Sequence, residues 1–450
     1  MKTLINNVTI VNEGVSFKGN VVIDGDIISS VNQGNIIPNE EYDQEIDADG
    51  CYLLPGIIDD HVHFREPGLT DKADIESESR AAAAGGVTSF FDMPNTIPTT
   101  TTTERLEEKF DIAKKKSHVN YTFFLGASSD NLDVLSTVAG KDKKNGFRKR
   151  IPGVKLFMGS STGNMLVEDV TILEKIFSTV TKPLMLHCED TEIINNNMRN
   201  LEKKLGKEPS IGFHPQIRSR EACYKSTSLA ISLTKKYHTR IHVAHISTSE
   251  ELGLFDPKNR MITAEATVGH LFFCDEDYES LGSKIKVNPA IKSSEDRDAL
   301  RKAINNGTVT VVGTDHAPHL LTQKEGGCKT AASGMPMIQF SLVTMLELVD
   351  MGVISLPRLV SLMCHNPATI FDLKDRGYIR KGYKADIVLV RRDSPWIVTK
   401  DVIQSKCKWS PVENHKYNWK VEYTFCNGHI VYKKGNVDTT YIGEELEFYE

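Results

Sequence analysis

The chain changes its hydrophobic rhythm twice. Up to about residue 51, short apolar stretches such as TLINNVTIVN and GNVVIDGDIISSV alternate with Asn-Glu-Gly and Asp-Gly turn signals, which predicts strands and tight turns. From about residue 376 the same rhythm returns in KADIVLVRRD and WKVEYTFCNGHIVYKKG, with Asn427-Gly428 marking a hairpin. Between them, eight apolar or β-branched runs alternate with amphipathic helical stretches: YLLPGIIDD, GVTSFFDM, NYTFFLGAS, IPGVKLFM, KPLMLHC, TRIHVAHI, RMITAEAT and TVTVVGTD. The pattern predicts an α/β chain: a (β/α)8 TIM-like barrel over residues 52–375, with a small β-sandwich formed by segments 1–51 and 376–450. ESESRAAAAGGV predicts a helix ended by glycines, and Thr101-x-x-Glu104 reads as a capping box before RLEEKF. The Lys/Arg-rich stretch 142–150 reads as a solvated surface loop.

Composition narrows the class. The 450 residues carry a net charge of −6, are 40% hydrophobic and 25% charged, and so fit neither a disordered nor a fibrous protein. The mild acidity argues against a nucleic-acid partner, and no apolar run approaches the ~18 residues of a membrane span. MKTLINNVTIVNEG is too polar for a secretory signal, so a cytoplasmic location is expected. The 8 cysteines form no C-x-x-C and no cluster, which disfavours both a disulfide framework and a thiolate metal site.

The 14 histidines change the picture most. His61 and His63 flank Val62 at the end of the first barrel strand, where alternation puts both on one face. That end of a barrel strand is where active sites of this architecture lie. His187, His245 and Asp315 close the fifth, sixth and eighth strands, and Lys155 lies on the fourth. His242 is three residues from His245 and must face the other way, so it is expected to pack against a helix. Four imidazoles and a carboxylate without thiolates suit Zn²⁺, with Mn²⁺, Co²⁺ or Fe²⁺ as alternatives. Lys155 fits such a site as a carbamate bridging two metals, although spacing alone ranks an ordinary ion pair with a carboxylate first. His118, His238, His415 and His429, as isolated residues, are expected to face solvent.

HVHFREPG, MPNT, KLFM, HCED, HVAHIST and GTDHAPH, in this order and spacing, resemble the dihydroorotases of the amidohydrolase superfamily. The resemblance implies that His61, His63 and Asp315 hold one Zn²⁺, that His187 and His245 hold a second, and that carboxylated Lys155 bridges them. It makes Arg65, with Asn95 and His319, the clamp for a substrate carboxylate, and adds Asn288 and Gly334 as ring contacts. Gly269 stands where many relatives have histidine, so His270 receives no role, and His214 and Arg218 stay unassigned.

The reaction so implied is reversible ring opening of (S)-dihydroorotate to N-carbamoyl-L-aspartate in pyrimidine biosynthesis. A hydroxide held by the metals attacks, and Asp315 shuttles the proton. An allantoinase or hydantoinase would share the metals but has no use for the carboxylate clamp. A catalytically inactive scaffold would lack ligands, whereas every ligand type is present. The expected partners are a small-molecule substrate, further copies of the chain in a homodimer or larger oligomer, and aspartate carbamoyltransferase.

Overall fold

A computed structural model of the chain describes residues 1–34, 36–141, 145–159 and 165–450. Eight parallel strands follow one another around a barrel. They are Ile57–Val62, Val87–Asp92, Asn120–Phe123 with its continuation Leu125–Gly126, Val154–Met158, Leu184–Cys188, Ile241–Val243, Ile262–Thr267 and Val311–Gly313. The ring closes where Val62 bridges His316 and the His63 amide donates to the His316 carbonyl at 2.8 Å. These strands are buried along their whole length, because one face meets the barrel interior and the other meets the helices.

Each of the eight apolar runs supplies a barrel strand, with one division. YLLPGIIDD breaks at Gly56: Cys51–Pro55 pairs with Lys2–Asn12 and Ile387–Arg391 in the terminal sheet, and only Ile57–Val62 enters the barrel. Gly56 is needed there, since a Cβ would sit 2.1 Å from Thr88 Oγ1. The run is apolar throughout, so hydrophobicity cannot locate the point at which it changes sheets.

The helix Ile75–Ala84 starts on a reciprocal cap between Asp74 and Ser77 and stops at Gly85. The next helix, Thr103–Lys116, is capped by Thr102, which accepts from the Arg105 amide at 3.3 Å, and not by Thr101. In a run of threonines any one can offer the hydroxyl, so the cap shifts by a residue with its chemistry intact. Of the basic stretch 142–150, residues 142–144 lie outside the described residues. Arg148 is buried there and donates to the Gly140 carbonyl at 2.7 Å, contrary to the expected solvated loop.

The terminal segments build one nine-stranded mixed sheet. Its order runs Asn436–Val437, His429–Lys433, Lys420–Cys426, Ile387–Arg391, Cys51–Pro55, Lys2–Asn12, Val15–Asp24 and Ile27–Gln33, with Gln44–Asp47 beside Lys2–Asn12. Ile5, Ile10, Ile23, Leu53, Leu389 and Phe425 share one apolar cluster, the sandwich layer. Asn427 and Gly428 turn the hairpin with φ of 49° and 74°, as their sequence predicts. The C-terminal segment also leaves this sheet. Trp409, Val412 and Tyr417 pack into the main core around the barrel, and Leu446 and Phe448 join Ile58, Phe91 and Met185. Among the described residues no helix is long and apolar enough to cross a membrane.

Candidate metal centre

The strand ends converge on a small cavity lined by His61, His63, Arg65, Lys155, His187, His245, Asn288, Asp315 and Gly334, with Phe157, Ala317 and Ser333. Asp315 Oδ1 lies 3.0 Å from His63 Nε2 and 3.4 Å from His61 Nε2. Across the cavity floor His187 Nδ1 and His245 Nε2 stand 2.9 Å apart. Two neutral imidazoles at that distance need a proton between them, and a cation held by both would take its place. Arg65, His245 and Asp315 adopt φ of 69°, 43° and 48°, a left-handed conformation that a side chain rarely takes; the fold holds this strain at the mouth of the barrel.

The far nitrogens of three histidines are also accounted for. His61 Nδ1 lies 3.1 Å from Glu265 Oε1, His63 Nδ1 donates to Asn95 Oδ1 at 2.8 Å, and His187 Nε2 is 3.1 Å from Glu189 Oε2. Glu189 is itself paired with Arg218. Such partners fix which ring nitrogen keeps its lone pair for a ligand. Burial pushes the His61 pKa down to about 3 and lowers those of His63, His187 and His245, so all four are neutral donors. For Asp315 burial works upward, but His61, His63 and Lys155 outweigh it and hold the carboxylate ionised.

Lys155 is fully buried, and its Nζ has no hydrogen-bond partner among the described residues. Burial lowers its pKa, with Glu265 and Asp315 opposing. A buried amine without a hydrogen-bond partner is costly, and no ion pair with a carboxylate offsets it among the described residues. The residues present therefore suit divalent cations.

On the adjoining wall Arg65 Nε donates to the Pro318 carbonyl at 3.0 Å and Nη2 lies 3.0 Å from His319 Nε2. Lys72 Nζ is 3.4 Å from His319 Nδ1, and the Ser333 carbonyl is 3.0 Å from Nε2. Burial, then Arg65 and Lys72, push the His319 pKa down to about 2, so this ring is neutral. Asn288 Oδ1 is buried without a partner among the described residues. Gly334 takes φ of 135°, and a Cβ there would meet the Ala317 carbonyl at 2.5 Å. Its N–H is committed to the Lys286 carbonyl at 2.8 Å.

Sequence reasoning missed Glu265 and Glu189 behind the histidines. Their signal was only a carboxylate on a barrel strand or just beyond one. His242 points into the barrel interior, where Nδ1 is 2.8 Å from Thr263 Oγ1 and Nε2 is 3.3 Å from Asp60 Oδ2, and its ring also meets Phe371 at the end of the helix Asn366–Ile370. His118, expected in solvent, is buried between the Tyr441 carbonyl and Glu76. His415 and His429 pair with Glu347 and Asp438, and only His238 is exposed. His270 and His214 are buried and bonded to the carbonyls of Pro289 and Val287.

Residues 52–431 match the family model described as "Amidohydrolase family". A protein of Methanosphaera stadtmanae named dihydroorotase is 33% identical over 94% of this chain and 96% of its own. A dihydroorotase of Methanosarcina acetivorans is 30% identical over 88% and 85%. Among solved structures, an L-hydantoinase from Arthrobacter aurescens superposes with a TM-score of 0.92 at 24% identity over 99% of both chains, which speaks to fold. With the family model spanning most of its length and relatives at this identity, the chain belongs to the amidohydrolase family.

Proposed function

We propose that the chain is a dihydroorotase, interconverting (S)-dihydroorotate and N-carbamoyl-L-aspartate. The observation that carries the reading is the Arg65–His319 contact at 3.0 Å beside a cavity that also holds His61, His63, His187, His245 and Asp315. A carboxylate clamp next to a metal-binding set suits a cyclic amide with an acidic arm.

In this reading His61, His63 and Asp315 would hold one Zn²⁺ and His187 and His245 a second, with carboxylated Lys155 as a further ligand; bound there, the ions would supply an activated water and polarise the ring carbonyl. Arg65 presents its planar fork to the substrate carboxylate, and neutral His319 adds a directional hydrogen bond. Asn95, whose Oδ1 accepts from His63, turns its amide nitrogen to the same carboxylate. Asn288 Oδ1 accepts a ring N–H. Because the Gly334 N–H is engaged, its contribution is the close backbone wall rather than a donated bond. As the water oxygen bonds to the carbonyl carbon, Asp315 takes its proton; as the C–N bond breaks, Asp315 returns that proton to the leaving nitrogen. Cyclisation runs the same steps in reverse.

The chemistry is assigned to the barrel region of about residues 52–375, supported by segments 1–51 and 376–450. A cytoplasmic, homo-oligomeric enzyme that associates with aspartate carbamoyltransferase completes the reading, since that partner makes N-carbamoyl-L-aspartate. Steady-state turnover of dihydroorotate, allantoin and hydantoin, with metal analysis of the same sample, tests it. Dihydroorotate should be strongly preferred, with two metals per chain. Preference for hydantoin or allantoin would replace it with a ring hydrolase lacking the acidic arm, and no turnover of any ring would favour a scaffold.

A further inference from the structure

Behind His61, three side chains that the mechanism does not use meet inside the barrel. Asp60, His242 and Glu265 come from the first, sixth and seventh barrel strands, and each is fully buried. One ligand atom from each lies within 4.8 Å of the other two. Asp60 Oδ2 stands 3.3 Å from His242 Nε2, yet among the described residues neither atom has a hydrogen-bond partner, and nor has Asp60 Oδ1. No lysine or arginine of the described residues reaches either carboxylate within ion-pair distance.

The surrounding hydrogen bonds leave the inner atoms of this cluster as acceptors. Thr263 Oγ1 gives its proton to the Ile241 carbonyl at 3.1 Å, so it accepts from His242 Nδ1 at 2.8 Å. The Nε2 lone pair then faces the Asp60 carboxylate. Glu265 Oε1 accepts the His245 amide at 3.1 Å, and His61 Nδ1 lies 3.1 and 3.2 Å from Oε1 and Oε2. Gly313, on the eighth strand, leaves room beside both acids: a Cβ there would sit 2.9 Å from Asp60 Oδ1 and 3.2 Å from Glu265 Oε2.

Two buried carboxylates facing a lone pair without a counter-ion are costly. A shared proton neutralises one of the charges, whereas a divalent cation neutralises both and takes up the lone pair. The distances favour the cation. Two ligands at ~2.0–2.1 Å on a tetrahedral zinc stand roughly 3.3 Å apart, the separation that Asp60 and His242 keep. His242 also donates its far N–H to a fixed acceptor, the support that metal-bound imidazoles have. We propose that Asp60, His242 and Glu265 form a separate, structural Zn²⁺ site, closed off from substrate, that ties three barrel strands together behind His61. This ion adds to the two of the proposed function and does not depend on the substrate. Full loading gives three ions per chain, where the dihydroorotase reading by itself needs two.

The test takes the full-length protein from zinc-supplemented culture, freed of loosely held ions. Elemental analysis counts zinc per chain, and anomalous diffraction at the zinc edge locates it. Wild type should hold three ions, with one anomalous peak between Asp60, His242 and Glu265. Asp60→Asn and His242→Phe should each lose one equivalent and that peak, and keep the peaks at the barrel mouth. Variants that retain the third ion overturn the inference. So does a wild-type map without a peak behind His61, which would assign a shared proton to the cluster instead. If neither variant folds, the wild-type map alone decides. Wild type that opens hydantoin and not dihydroorotate sinks the dihydroorotase reading and leaves this site standing; wild type that turns over dihydroorotate with zinc at the mouth only sinks this inference alone.

Discussion

Trp409 donates its indole N–H to the His319 carbonyl at 2.8 Å, so a residue of the C-terminal segment buttresses the wall that carries Arg65. Trp409→Phe keeps an aromatic ring and removes that one donor. It should cost about 1–2 kcal/mol in stability and raise KM for dihydroorotate several-fold, with a smaller change in kcat. Denaturant midpoints and steady-state kinetics on the same sample check it; an unaltered KM would make the contact purely structural.

Arg65→Ala should abolish most turnover of dihydroorotate while bound metal stays at the wild-type level. The guanidinium meets Pro318 and His319, not the metal-facing nitrogens. Metal analysis beside the assay separates a lost clamp from a collapsed metal centre, and loss of metal would remove the clamp assignment.

Lys155→Ala should lower metal content and activity together, because the bridging position loses its anion. Small carboxylic acids such as acetate or propionate should restore part of both. A mass spectrum showing unmodified Lys155 in a metal-replete, active sample would end the bridging model.

Asp315→Asn should bind dihydroorotate but hydrolyse it roughly 10²–10⁴-fold more slowly, since an amide cannot carry the proton. Its Oδ1 sits between two histidine nitrogens at 3.0 and 3.4 Å, so some loss of metal affinity should accompany the change. Near-normal kcat would assign the proton transfer elsewhere.

Stability should respond to pH through Lys182, far from this chemistry. The side chain is 4% exposed and donates to the Ile151 carbonyl at 3.1 Å. Burial, reinforced by Arg148, pushes its pKa down to about 7. Between that value and the ordinary 10.5 the unfolded chain holds more protons than the folded one, so this residue makes stability rise with pH across the window. The slope approaches about 1.4 kcal/mol per pH unit where the difference is a full proton. Unfolding midpoints measured from pH 7 to 9 should climb less steeply in Lys182→Met than in wild type; identical slopes would show that Lys182 does not titrate there.

What the sequence made legible was whatever the chain repeats. Strand alternation places His61 and His63 together, and the βα rhythm brings His187, His245 and Asp315 to the same barrel end. The partners of those residues obey no such rhythm. Glu265 and His61 are 204 positions apart, and Trp409 lies 90 from His319. No local pattern connects them, and a carboxylate or indole on an apolar run has many uses. The same limit hid the burial of His118, whose carbonyl partner Tyr441 is 323 residues away. The break at Gly56 was invisible for the opposite reason, because the run on either side is uniformly apolar.

That break has a consequence for the order of assembly. Cys51–Pro55 and Ile387–Arg391 are adjacent strands, and the loop they close contains the entire barrel. An unstructured loop of that length makes their meeting slow, although the cost grows only logarithmically with its size. A formed barrel brings the two strands together at little further expense. The pairing of Lys2–Asn12 with Val15–Asp24 needs no such help and can form early as a local hairpin. The terminal sheet thus completes as a late clasp, fastened only after the barrel has closed, and a chain whose barrel fails to close is left with the edge of Cys51–Pro55 open to foreign strands.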